Sequence, residues 1–279
     1  MTTITDKDAP PDLRRLCVHT MTVKRWSLAE AIEGFTAAGI PGITVWRQHL
    51  EPQGAVVSGR MLRDSGLRVA SLCRGGFFPA RTAAEREKAI ADNLRAVDEA
   101  AAIGAPLVVL VSGAVPGLPL EEARGQIADG IAAVVPHAEA AGVRLGIEPL
   151  HPMYAGDRCA VNTLRQANDI AERLATPVVG VTVDVYHLWW DPDLEAEIRR
   201  AGPRILSFHV CDWRCPTRDL LNDRGLMGEG CIPIRRIRRW VEETGYDGAI
   251  EVEIFSDELW AEDPRALLER IKTAYRAFV

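Results

Sequence analysis

A repeat constrains this chain more than any other feature. From Leu16 onward a short β-branched run, a turn, a long amphipathic stretch of Ala, Leu and Glu, and a Gly ahead of the next apolar run follow one another to the end. Eight strands are expected on this pattern: Leu16 to Thr20, Gly42 to Trp46, Leu67 to Cys73, Leu107 to Ser112, Val143 to Glu148, Val178 to Asp184, Ile205 to Val210 and Ala249 to Ile254. The intervening helices mark their own ends. Ser27 with Glu30 and Thr82 with Glu85 form capping boxes, and Asp263 followed by Pro264 is an N-cap with proline at the first helical position. Gly104, Gly142, Gly202 and Gly245 stand where helices should stop. Strands alternating with helices imply a parallel sheet, and eight such units in 279 residues imply an α/β chain folded as a single (β/α)8 TIM barrel over residues 16–279. An open doubly wound sheet is the alternative, disfavoured because no Gly-rich phosphate turn follows the first strand. Residues 1–15, polar and proline-containing, are expected to form a loose N-terminal arm.

Composition bears on partners and compartment. No apolar run approaches the ~18 residues a membrane span needs, and no charged-then-apolar leader opens the sequence, so no membrane partner and a cytoplasmic location are expected. A net charge of -6 leaves no basic footprint for nucleic acid, and the basic run Arg235 to Arg239 reads as a solvated helix face. Six cysteines without a CxxC pair read as reduced thiols; Cys211 and Cys215 are weak candidates for nucleophiles.

The chemistry concentrates at strand ends. The sixth strand leaves the sheet through Asp184, His187, Trp189 and Trp190, and in a barrel ligands sit at the carboxyl ends of strands. Its neighbours do likewise: the fifth strand ends at Glu148, the seventh presents His209, and the eighth ends with Glu253, although Glu251 has the same parity and competes for that role. Three carboxylates and an imidazole on one rim cannot all stay ionised unaided, because like charges raise one another's pKa. One divalent cation removes the conflict. Three oxygen donors and one nitrogen favour Mn²⁺, with Mg²⁺, Co²⁺ or Zn²⁺ also compatible. After the seventh strand some twenty residues, CDWRCPTRDLLNDRGLMGEG, form a loop long enough to be a lid or binding segment. Its Arg214 and Arg218 are candidates to bind substrate oxygens, and Trp189 or Trp190 is expected to line the mouth, ahead of Trp46 and Trp213. His19, His49 and His151 fall at or beyond strand ends without a partner that can be named, and His137 reads as structural.

GIEP around Glu148, the Asp184-x-x-His187 pair, FHVCD with His209 and Asp212, the GEG before Ile232 and GYDGAIEVEIF with Glu253 resemble the xylose isomerase-like barrels, a family of sugar phosphate isomerases and epimerases that includes ketose 3-epimerases and inosose-metabolising enzymes. The resemblance covers nearly the whole chain from Leu16. It implies that Glu148, Asp184, His209 and Glu253 hold one divalent ion, that His187 contacts substrate, and that Glu253 rather than Glu251 is the ligand because it precedes the apolar-Phe pair Ile254-Phe255. It further implies a small carbohydrate or polyol substrate, catalysis by Glu148 and Glu253 as an acid/base pair about an enediolate, and a homodimer or homotetramer. A dehydratase of a keto-polyol on the same site is the alternative activity. A barrel without catalysis is disfavoured because all four ligands are present. An abasic-site endonuclease would need further histidines at the third and fourth strand ends, where this chain has Arg74 and Ser112.

Overall fold

The computed structural model describes residues 11–279. Eight parallel strands close into a barrel: β1 (Leu16–His19), β2 (Gly42–Trp46), β3 (Arg68–Gly76), β4 (Leu107–Val111), β5 (Arg144–Glu148), β6 (Val179–Asp184), β7 (Ile205–Val210) and β10 (Ile250–Val252), with β10 pairing back onto β1. The single (β/α)8 barrel expected from the repeat is the fold observed. The capping boxes at Ser27 and Thr82 are both formed, and Asp263 caps the last helix through the Ala266 amide. Most strand residues are buried because helices cover the outside of the barrel and side-chain layers fill its inside. Fully buried aliphatics such as Ile43, Val181 and Ile250 contribute roughly 1.5–3 kcal/mol each. No helix among the described residues is long and apolar enough to cross a membrane.

Three departures from the sequence reading matter for the site. Two thirds of the expected arm, residues 1–10, lies outside the described residues; the rest is not loose, because Arg15 is bonded to Glu242 at 2.5 Å and to the Gly248 carbonyl at 2.9 Å. The third strand runs past Cys73 to Gly76, slipping register against β4 between Cys73 and Gly75, and Asn93 ties off Gly76 through both its N–H and its C=O. Gly76 has φ 106°, and a Cβ there would meet the Val111 carbonyl at 1.9 Å, so only glycine fits this turn. The last strand stops early, at Val252. The Thr22 hydroxyl donates to the Val252 carbonyl and accepts the Ile254 N–H, replacing the ladder at the point where Glu253 emerges.

The long loop after β7 has its own architecture. β8 (Asp212–Trp213) and β9 (Arg224–Gly225) form a small antiparallel hairpin. The Asp212 carboxylate accepts the N–H groups of Trp213, Gly228 and Ile232 at 2.9, 2.9 and 3.0 Å. The GEG segment is therefore a turn held by Asp212.

Candidate metal centre

Glu148 ends β5, Asp184 ends β6, His209 lies one residue short of the end of β7, and Glu253 follows β10. One donor atom from each of these four buried residues lies within 4.8 Å of the other three. Their local bonding leaves atoms without partners. Asp184 Oδ1 caps the helical turn Val185–Leu188 through the Tyr186 N–H at 2.8 Å, whereas its Oδ2 is buried and without a hydrogen bond, and buried Glu148 Oε1 and His209 Nδ1 have only each other, at 3.1 Å. Buried polar groups are rarely left so. A cluster of four such residues with its donor atoms so poorly supplied by the chain fits a divalent ion, whose charge would also relieve the repulsion among the acids.

The electrostatics show the same conflict from the other side. Burial, with Glu253 and Glu148 adding to it against the opposing pull of Arg224, raises the Asp184 carboxyl to about 7. Burial works against a charged His209, but Glu148 at 3.1 Å and the neighbouring Glu251 and Glu253 outweigh it and push the imidazole up to about 10. Protons thus stand where a cation would. Glu253 is held well below the usual carboxylate range despite its burial, because Arg224 Nη1 lies 2.6 Å from its Oε2.

Glu251 sits one inward-facing position earlier on β10 and has a different environment. Its Oε2 accepts the hydroxyls of Thr44 at 2.5 Å and Ser71 at 2.8 Å, and its Oε1 accepts that of Ser207. His19 Nε2 and His209 Nε2 face it at 3.5 and 3.8 Å. Burial opposes ionisation here too, yet these imidazoles and hydroxyls hold Glu251 down to about 2. This carboxylate is supplied with donors by the protein itself.

A cavity of ≈ 390 Å³ opens above the four-residue cluster, with Glu148, Glu253 and His187 in its wall. His187 is buried and accepts the His151 N–H on Nδ1 at 3.3 Å; burial and the nearby Arg224 hold its pKa well below the ordinary value, so the ring is neutral, and its Nε2 faces Arg224 Nη2 at 3.5 Å and Asp184 Oδ2 at 3.6 Å. Arg224 joins the wall from β9, its guanidinium 4.3 Å from the Tyr186 ring and 4.8 Å from that of Phe255.

The other substrate-binding candidates fall elsewhere. Arg214 pairs with Glu229 at 2.9 Å and Glu258 at 3.1 Å, and Arg218 with Asp223 at 2.5 Å and Glu258 at 2.8 Å; neither lines the cavity. Trp189 packs on Trp213, and Trp190 donates to the His187 carbonyl, so neither supplies the wall; Trp46 does. Sequence reasoning missed Arg224, Arg74, Arg158 and Tyr154, all cavity residues, and found no partner for His19, whose Nδ1 accepts from Trp46 Nε1 at 3.1 Å and lies 3.3 Å from Glu253. The signals were slight: His19 at a strand end, Arg74 at the third.

Known proteins agree with this architecture. Inosose isomerase of Halalkalibacterium halodurans is 30% identical over 137 residues, 48% of this chain and 46% of that protein. Fructoselysine 3-epimerase of Escherichia coli O157:H7 is 25% identical over 163 residues, 56% of this chain and 54% of that protein. The chain thus spans about half the length of the curated relatives it matches. Among solved structures, protein SMc04130 from Sinorhizobium meliloti 1021 superposes with a TM-score of 0.92 at 50% identity, covering 95% of this chain and 98% of that one. The IolI protein with a bound zinc atom superposes at 0.82 with 20% identity, over 93% of this chain and 96% of that one, a likeness of fold. The family model of the xylose isomerase-like TIM barrel matches residues 28–274, and the chain belongs to that family.

Proposed function

We propose that this chain is a divalent-metal-dependent isomerase or epimerase of a ketose, inosose or related hydroxy-carbonyl compound. The observation that carries the reading is the convergence of Glu148, Asp184, His209 and Glu253 on one point, with Asp184 Oδ2 lacking a hydrogen bond and Glu148 Oε1 and His209 Nδ1 facing only each other. The names of the curated relatives, an inosose isomerase and a fructoselysine 3-epimerase, support the substrate class. The bound zinc in the IolI protein supports the use of a metal. Three carboxylates and one imidazole favour Mn²⁺ and accommodate Mg²⁺, Co²⁺ or Zn²⁺. When bound, the ion supplies Lewis acidity, polarising a carbonyl and stabilising the charge that develops when the neighbouring carbon loses its proton.

The chain's own residues do the rest. Glu148 and Glu253 both face the cavity, one from β5 and the other from beyond β10. One takes the carbon-bound proton. If the other returns a proton to the opposite face of the same carbon, the stereocentre inverts; return to the adjacent carbon interconverts aldose and ketose. Arg224 keeps Glu253 ionised and therefore ready to accept. Neutral His187 lines the cavity beside Arg224 and Asp184 and gives a polar contact to substrate without adding charge. Trp46 and Phe255 give apolar wall against which a sugar face packs.

The test is solvent deuterium exchange into a panel of ketoses, inososes and hydroxypyruvate-like compounds with Mn²⁺ present. Exchange beside the carbonyl is expected in the native chain, lost with EDTA, and lost in Glu148→Gln and in Glu253→Gln. Undiminished exchange in either folded variant removes that residue from the acid/base pair, and a dehydrated product would assign the site to water elimination instead.

A further inference from the structure

Resting on that reading of the site, we infer that the substrate carries an anionic group, a carboxylate or a phosphate monoester, gripped by Arg74 and Arg158 at a distance from the reacting carbon. Arg74 enters the cavity wall from the slipped end of β3, and Arg158 from the segment joining β5 to the helix Leu164–Leu174. Both are half-buried, and among the described residues neither side chain has a hydrogen bond or a carboxylate within 4.0 Å.

Their surroundings explain why they stay unpaired. The Arg74 guanidinium lies 4.5 Å from the Phe77 ring and 5.8 Å from that of Trp46, while Arg158 lies 5.5 Å from that of Tyr154. Aromatic faces hold each plane and leave its N–H edge unused. Of the acids that share an outer pocket with Arg74, Asp92 and Glu99 are already committed to Arg47 at 2.8 and 2.6 Å, and the exposed Glu51 makes no ion pair with Arg74. Arg224, the third guanidinium of the wall, is committed to Glu253. Once a dication satisfies the acid cluster, no acid in the cavity wall remains for Arg74 and Arg158.

Two like charges held half-buried on one cavity cost free energy unless a ligand compensates them. A neutral polyol offers hydroxyls but no charge. A carboxylate or phosphate offers oxygens that match the planar fork in bidentate geometry. Burial and, less strongly, the charge of Arg158 loosen Arg74's hold on its proton, and an oxyanion reverses both effects.

Isothermal titration calorimetry of the Mn²⁺-loaded and the metal-free protein with sorbitol, sorbitol 6-phosphate and gluconate tests this. None of these has a carbonyl to enolise, so binding is read without turnover. At least one anionic polyol should bind about tenfold or more tightly than sorbitol, and which one does identifies the group. The preference should shrink in Arg74→Gln and in Arg158→Gln and vanish in the double variant, which keeps the acid cluster. Equal affinity for all three probes, no anionic binding up to on the order of 10 mM, or a preference undiminished in the double variant overturns the inference; the first two need no variant to fold. A chain that exchanges deuterium into neutral ketoses yet shows no anion preference refutes this inference alone. A chain without exchange that still shows the preference refutes the isomerase reading alone.

Discussion

On the proposed metal site protons and metal would compete for the same atoms, so metal binding should release protons in a number set by pH. In the metal-free protein His209 titrates at about 10 and Asp184 at about 7. Both must be unprotonated to act as ligands. At pH 8 His209 holds its proton and Asp184 has mostly lost its own, so binding should expel about one proton; at pH 6 both are protonated and the number rises to about two. The sign follows directly: protonated ligands must pay to let the ion in, so apparent affinity falls as pH falls. Between pH 8 and pH 6 His209 contributes about two decades of weakening and Asp184 about one, a loss near a thousandfold. Calorimetric titration with Mn²⁺ in two buffers of different ionisation enthalpy, repeated at both pH values, measures the count. Replacing His209 by Asn should remove the proton released at pH 8. Release of less than about half a proton at both pH values would refute the placement of the ion on these residues.

Two further outcomes follow from the neighbours of the cluster. Arg224→Met leaves Glu253 buried without its counter-charge and should cost about 3–5 kcal/mol in metal-free protein, less with Mn²⁺ bound because the ion replaces the lost cation; urea denaturation with and without metal checks it, and equal losses would show that Arg224 does not serve this charge. Glu251→Gln puts an amide where Thr44, Ser71 and Ser207 donate, and should weaken metal affinity about 10- to 100-fold through the loosened His209; unchanged affinity in a competition titration with a chelator would separate the two layers.

How much of this was legible follows from where the information lay. The barrel was readable because each β/α unit carries its own periodicity and caps, and the cluster of Glu148, Asp184, His209 and Glu253 because each is local to a strand end. His19 was not, because its partners Glu251 and Glu253 are some 230 residues away and meet it only when β10 closes onto β1. The loop arginines failed for a related reason. Arg214, Arg218 and Arg224 look alike in a polar stretch, and which one turns inward is decided by the β8–β9 hairpin and the Asp212 staple. That hairpin gives Arg214 and Arg218 to surface acids and sends Arg224 under Tyr186. Trp189 and Trp190 were misjudged because a short helical turn follows Asp184, rotating both away from the mouth and bringing His187 into it.

The ambiguity between Glu251 and Glu253 is the instructive one, because alternation along a strand places both inside the barrel and cannot rank them. What ranks them is supply of donors. In the lower layer three hydroxyls and two imidazoles surround Glu251, and the carboxylate is compensated by folding alone. In the upper layer Arg224 compensates Glu253, while Asp184 Oδ2 makes no hydrogen bond and Glu148 Oε1 has only His209 Nδ1, at 3.1 Å, against the three hydroxyls that supply Glu251. Buried polar atoms are seldom left so, and a group from outside the chain would complete these. His209 spans the two layers, one nitrogen toward Glu251 and the other toward Glu148, so the satisfied carboxylate orients the ring for the unsatisfied ones. Stability below and incompleteness above are two consequences of one strand order, and the incomplete layer is the one placed to do chemistry.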